Sequence, residues 1–249
     1  MIALKTKDQI DRIRESCRLL ARMFREIEPL VQVGVTTLEL DRWAENFIRS
    51  HGGKPAFKGY QGFPATLCTS INQEVIHGIP KNKKIMEGDL VSLDCGIDLK
   101  GFFSDMAVTY IVGAVTSEEK LLVEITRQSL DAGTAAAQPG ARVRDISNAV
   151  TSVVKPHHFG IVHQYCGHGV GFGQHEDPQV PNAVALGTSP RIVPGMVLAI
   201  EPMINLGKAE VRVLSDDWTV VTVDGKKSAH FEHTVAILED SSEVLTRED

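Results

Sequence analysis

Cysteine is scarce and unpaired in this chain of 249 residues. Cys17, Cys68, Cys95 and Cys166 form no CxxC pair and no zinc-finger spacing, which argues against a disulfide framework or a thiolate metal site and fits a reducing compartment. Long apolar runs are missing as well. No stretch reaches the roughly 18 apolar residues that span a bilayer, and the amino terminus, MIALKTKDQIDRIRE, turns charged at once. The expectation is a cytoplasmic protein with no secretion signal and no membrane partner. There is no basic excess either. With a formal net charge of -6, no direct nucleic-acid role is expected. Hydrophobic content of 43% and charged content of 23% are ordinary for a globular protein able to bury a substantial core.

What stands out is the stretch Leu90 to Val112, LVSLDCGIDLKGFFSDMAVTYIV. Asp94 and Asp105 each lie inside an apolar, strand-like run, where aspartate is rarely found and rarely buried unpaired. Asp98-Leu99-Lys100-Gly101 reads as a tight turn with Asp first and Gly last. A hairpin pivoting on Leu99 and Lys100 would set Asp94 directly opposite Asp105. Two carboxylates so placed repel, and burial adds to the cost. A bound cation, a protonated aspartate, a nearby Lys or Arg, or a shifted register would each resolve the conflict.

The rest of the chain is predicted as follows. A long amphipathic helix runs from Thr6, capped by Thr6 or Asp8, to a stop near Pro29, burying Ile10, Ile13, Cys17, Leu20 and Phe24. A second runs from Thr36, opening in a capping-box-like TTLE, to His51. FKGYQGFP, from Phe57 to Pro64, is a loop, and short strands follow around Leu67 and Val75. Helices then recur over Ser117 to Ala137, capped by Ser117, and over Arg144 to Val154, with strands at Met196 to Ile204, Trp218 to Val223 and Phe231 to Leu238.

The two halves, about 1–115 and 116–249, share landmarks. Gly34 aligns with Gly140, Gly88 with Gly195 and Asp94 with Glu201, at offsets of 106 to 107, and SDMAVTYI beside FEHTVAIL aligns Asp105 with Glu232. Each half thus offers one carboxylate from each of two matching strands. The expected fold is α+β, a pseudo-twofold repeat of helices packed on a curved, mostly antiparallel sheet, with the four acids converging at its centre. Because neither half could hold that site alone, residues 1–249 are read as a single catalytic domain. Four buried charges call for compensation, which two divalent cations would supply. Among nine histidines His168, in GHGVG, stands out, because flanking glycines permit an unusual backbone and close approach to a ligand.

Asp94 and Asp105, then GHGVGFGQHEDP with His168 and His175, AIEPMI with Glu201 and HFEHTV with Glu232 resemble the type I methionine aminopeptidases, metallopeptidases of the pita-bread fold. The match runs from about Lys5 to Leu238. The resemblance implies a dinuclear site of two divalent metal ions (Mn, Fe, Co or Zn) held by Asp94, Asp105, His168, Glu201 and Glu232. It implies hydrolysis of the first peptide bond of methionyl peptides and nascent chains, with Glu201 relaying a proton and His77 and His175 contacting the substrate amide and carbonyl. Tyr60, Phe63, Cys68 and Trp218 match the family's methionine pocket. Phe57, Phe63 and Gln174 depart from the pattern of well-known bacterial members. The expected partners are methionyl peptides and the ribosome, and the expected state is a monomer. Two alternatives share the fold: an Xaa-Pro aminopeptidase-like enzyme and a non-catalytic pita-bread binding protein. The 31-residue step from Glu201 to Glu232 leaves no room for the insert of type II enzymes.

Overall fold

A computed structural model describes residues 1–184, 187 and 189–247. The four long helices begin where local chemistry directs. Helix α1 (Lys7–Ile27) is preceded by Thr6, which caps it reciprocally with Gln9, and runs into a 3-10 turn at Glu28–Leu30. Helix α2 (Thr37–Ser50) opens on the same device between Thr36 and Glu39. Helix α3 (Ser117–Ala136) is capped by Thr116 with Glu119, one residue earlier than the sequence suggested, and α4 (Val143–Val154) follows. The apolar stripe of α1 is buried as expected, from Ile10 through Phe24, each large aliphatic contributing about 1.5–3 kcal/mol.

Every described strand pairing is antiparallel. In the first half, strand Leu90–Leu99 lies between Lys54–Pro55 and Cys68–Ile71 and also pairs with Phe102–Ile111. In the second half, five strands run in the order Ser242–Val244, His233–Ile237, Val197–Ile200, Gly167–Gly169, Glu176–Val180. Leu20 and Phe24 of α1 and Leu40 and Ile48 of α2 pack on Val91, Leu93, Cys95 and Ile97. Likewise Leu130 of α3 and Ile146 of α4 pack on Leu198, Ile200, Val235 and Ile237. Side chains alternate across a strand, so Ser92, Asp94 and Gly96 face away from α1 and α2.

The repeat is written in the backbone hydrogen bonds. Gly34 N–H donates to Ile85 O at 2.9 Å, and Gly140 N–H to Ile192 O at 2.8 Å. Gly88 donates to Val112 O and Gly195 to Ile237 O, with both glycines in the left-handed region, at φ 85° and 90°. The halves meet at a bridge between Ala107 and Glu232.

One register differs from expectation. The turn is Lys100-Gly101, both at positive φ, with Asp98 Oδ1 accepting from Gly101 N–H at 2.7 Å. Asp94 therefore pairs with Ala107, and Asp105 with Gly96. The partner shifts by two residues, so the aspartates stay on one face as diagonal neighbours. The strand expected over Met196 to Ile204 is two strands, Val197–Ile200 and Met203–Asn205, and that expected over Phe231 to Leu238 starts at His233, after a separate Ser228–His230. The interruptions fall at Glu201-Pro202, where proline cannot donate to the ladder, and at Phe231-Glu232, where the Glu232 N–H donates instead to Ala107 O of the other half.

Candidate active site

The strand ends, the interruptions and the Phe57 loop enclose one cavity of about 220 Å³. Asp94, Asp105, His168, Glu201 and Glu232 line its floor, His77 and His175 its polar wall, and Phe57, Tyr60, Gln61, Phe63, Cys68 and Trp218 the remainder. Each site residue expected from the sequence thus borders the same space. Ligand atoms of Asp105, His168 and Glu232 lie within 4.8 Å of one another.

His168 is held by its backbone neighbours. Its Nδ1 lies 2.9 Å from Gly169 O, and a carbonyl only accepts, so Nδ1 carries the proton and Nε2 offers a lone pair. That Nε2 lies 3.6 Å from Asp105 Oδ2 and 3.5 Å from Glu201 Oε1. Burial holds the ring neutral, at a pKa of about 3. The flanking glycines have a different purpose from the one the sequence suggested. Neither has a left-handed φ, but a Cβ on Gly167 would meet Ala199 O at 2.2 Å and one on Gly169 would meet Asp177 O at 2.3 Å. They are needed for close strand packing.

His77 is fixed by the adjoining loop. Its φ is 58°, and the next residue, Gly78, lies so close to the Cys68–Ile71 strand that a Cβ would meet Thr69 O at 2.2 Å. Gly78 O accepts from Thr69 N–H at 2.7 Å, and Gly78 N–H donates to Ser70 Oγ at 3.1 Å. Burial lowers the His77 pKa to about 4. His175 stacks on Tyr60, with Nδ1 3.1 Å from the phenol oxygen, and burial lowers its pKa also. On the apolar wall Phe63 meets Trp218 edge-on at 5.1 Å, and Phe57, Phe63, Ala65 and Cys68 form one buried cluster.

The carboxylates are the costly part. Burial pushes Asp94 up to about 8, and burial with mutual repulsion pushes Asp105, Glu201 and Glu232 well above the carboxylate range. Asp94 Oδ1, Asp105 Oδ1 and Glu232 Oε1 are buried without a hydrogen-bond partner. Native structures seldom leave such groups unpaired. Unpartnered acid oxygens beside an imidazole lone pair fit a divalent cation bound through oxygen and one nitrogen. Two nearby residues escaped the sequence reading. Gln174, seen there only as a departure from pattern, donates from Nε2 to Asp105 Oδ2. His230 is buried, has no hydrogen bond at either ring nitrogen, and sits with Nε2 3.7 Å from Glu201 Oε2. Phe57, expected only as a departure from the family pattern, also joins the lining, as does Gln61, for which only the loop position was a hint.

A model of the metallopeptidase family M24 matches residues 11–239. The chain belongs to this family. Its relatives narrow the placement. The methionine aminopeptidase of Treponema pallidum is 54% identical, covering 99% of this chain and 96% of its own length. Methionine aminopeptidase 1 of Bacillus subtilis is 47% identical, covering 99% of this chain and all of its own. The crystal structure of methionine aminopeptidase from Rickettsia prowazekii superposes with a TM-score of 0.96 at 37% identity, over 99% of this chain and 100% of that one. The α+β fold is thus that of the M24 methionine aminopeptidases. Family membership carries metal ions with it, consistent with the buried Asp105, His168 and Glu232 group.

Proposed function

We infer that the chain is a methionine aminopeptidase that removes the initiator methionine from proteins and peptides. The observation that carries the reading is the composition of the cavity: unpartnered buried acids and a lone-pair imidazole share it with a small aromatic and sulfur-lined wall. Asp94, Asp105, His168, Glu201 and Glu232 would hold two divalent cations. When bound, these would activate water, hold the substrate's free amine and offset the developing oxyanion.

The chain's own residues divide the remaining work. Glu201, which lines the cavity beside the other acids, takes the proton of the attacking water and passes it to the leaving amine. Tyr60 holds His175 through the 3.1 Å contact of its phenol oxygen with Nδ1; with Nδ1 accepting from the phenol, the Nε2–H is free to hydrogen-bond the substrate carbonyl oxygen as negative charge builds there. His77 hydrogen-bonds the scissile amide. Phe63, Cys68 and Trp218 receive the methionine side chain, since aromatic and sulfur contacts suit a thioether. Docking at the ribosome and a monomeric state accompany this reading. The Xaa-Pro and non-catalytic alternatives draw no support from relatives 47–54% identical over the full chain.

The test is hydrolysis of Met-Ala-Ser against Ala-Pro-Ser by metal-stripped protein resupplied with Mn(II), Fe(II), Co(II) or Zn(II) in turn. Metal-dependent release of methionine alone is expected. Cleavage only before proline, or silence with every metal from folded, metal-binding protein, would overturn the reading.

A further inference from the structure

Asp105 is restrained in two layers. Its backbone is fixed by Thr234, whose hydroxyl donates to Asp105 O at 2.8 Å and accepts from Asp105 N–H at 3.1 Å. Its carboxylate takes a side-chain hydrogen bond from Gln174 Nε2 on Oδ2, while Oδ1 has no partner among the described residues. The acceptor is a carboxylate, so the nitrogen of the amide must face it.

Gln174 is 2% exposed and does not border the cavity, so substrate does not reach it. Its carboxamide occupies the space above Gly96, the residue paired with Asp105 across the hairpin. A Cβ at position 96 would come within 2.6 Å of Gln174 Oε1 and 2.9 Å of Nε2. The missing side chain of Gly96 is therefore what admits the amide beside the acid. This accounts for a glycine inside a buried strand, where it otherwise costs stability.

We propose that Gln174 is a positioning residue for Asp105, its N–H clamping Oδ2 from behind the cavity and so tightening the site's hold on divalent cations. A carboxylate offers about four lone pairs, and one neutral donor on one oxygen leaves the others for a cation. Lys or Arg in the same place would neutralise the acid and compete with the metal. Amide donation has neither drawback. It fixes the carboxylate's rotation before metal arrives and partly offsets the repulsion from Asp94 and Glu201. Hydrogen-bonding partners behind metal ligands typically account for about 10–100-fold in affinity.

The inference rests on the reading of Asp105 as a metal ligand, and the experiment separates the two. Calorimetric Mn(II) titration of metal-stripped protein would compare wild type with Gln174→Leu, Gly96→Ala and Asp105→Asn, alongside the visible absorption of the Co(II)-loaded forms. Gln174→Leu keeps the volume and removes the donor. Gly96→Ala leaves Gln174 intact and displaces its amide, which covers the case of a Leu variant that does not fold. Both are expected to weaken Mn(II) binding about 10–100-fold and to shift the Co(II) bands, with the metal-free circular dichroism unchanged. Wild-type affinity in Gln174→Leu alongside lost affinity in Asp105→Asn would overturn the Gln174 assignment alone. Unchanged binding in Asp105→Asn would overturn the ligand reading and this inference with it.

Discussion

Glu232 donates its backbone N–H to Ala107 O at 2.9 Å, tying the second half of the chain to the first at the point where their acids meet. The same Glu232 is expected to share cations with Asp94 and Asp105 from the other half. We propose that residues 1–249 therefore unfold as one unit. Differential scanning calorimetry is expected to give a single endotherm, with and without metal, whose midpoint rises when Mn(II) is added. At a free concentration 100 times the dissociation constant, the gain is about 2.7 kcal/mol. Two separable transitions, only one of them metal-sensitive, would refute the single domain.

His77 and Glu201 border the same cavity, but only Glu201 stands among the expected ligands. His77→Ala is expected to keep its metal and lose roughly 100- to 1000-fold in kcat, the usual cost of one donor aimed at developing charge. Glu201→Gln removes a ligand and the proton relay together, so turnover is expected to vanish. Metal analysis paired with kinetics checks both. Parallel loss of metal in His77→Ala, or near-normal turnover in metal-loaded Glu201→Gln, would contradict the roles.

The buried titratable groups set opposite slopes on stability against pH. Asp94 is raised from 3.8 to about 8, so above pH 4 the metal-free native state keeps a proton that the unfolded chain releases, and raising the pH destabilises. His77, His168, His230 and His233 are lowered from 6.5 to about 3–4 by burial. They work the other way, their contribution growing as pH rises toward 6.5. Above that value only the carboxyl effect remains. The stability of metal-free protein, followed through its melting temperature, is expected to fall between pH 6.5 and 8, by about 1–2 kcal/mol from Asp94 alone. Saturating Mn(II) should remove or reverse the fall, because metal replaces the protons. A rise over that window in metal-free protein would count against the buried cluster.

Much of this was legible because it follows from period and composition. The apolar face of α1 was visible as spacings of three and four, and the repeat as matched glycines and acids. The hairpin register was not. Lys100 takes a left-handed φ of 56°, which lysine rarely does unaided, so the turn could not be placed to the residue. The conclusion survived because a two-residue shift preserves the face of a strand. Gln174 and His230 were missed for another reason. Nothing in a linear sequence indicates that a glutamine will lie above Gly96 or that a histidine will be buried beside Glu201. The first pairing joins the two halves of the chain, and the second joins residues 29 positions apart, so neither follows from local pattern.

Phe57 lines the cavity and packs with Phe63 and Cys68, so its ring sets how much of the 220 Å³ is left for the first side chain of a substrate. Phe57→Ala would remove that wall without touching His77, His175 or the acids. Methionine would then fill the space less completely, and branched or bulkier residues would meet less resistance. Pocket changes of this size shift discrimination by about 1–3 kcal/mol. The ratio of kcat/KM for Met-Ala-Ser over Leu-Ala-Ser is accordingly expected to fall by roughly tenfold or more, with metal affinity unchanged. If the ratio stays at its wild-type value, Phe57 is packing beneath the pocket, and selection must lie with the other lining residues, Tyr60, Phe63, Cys68 and Trp218.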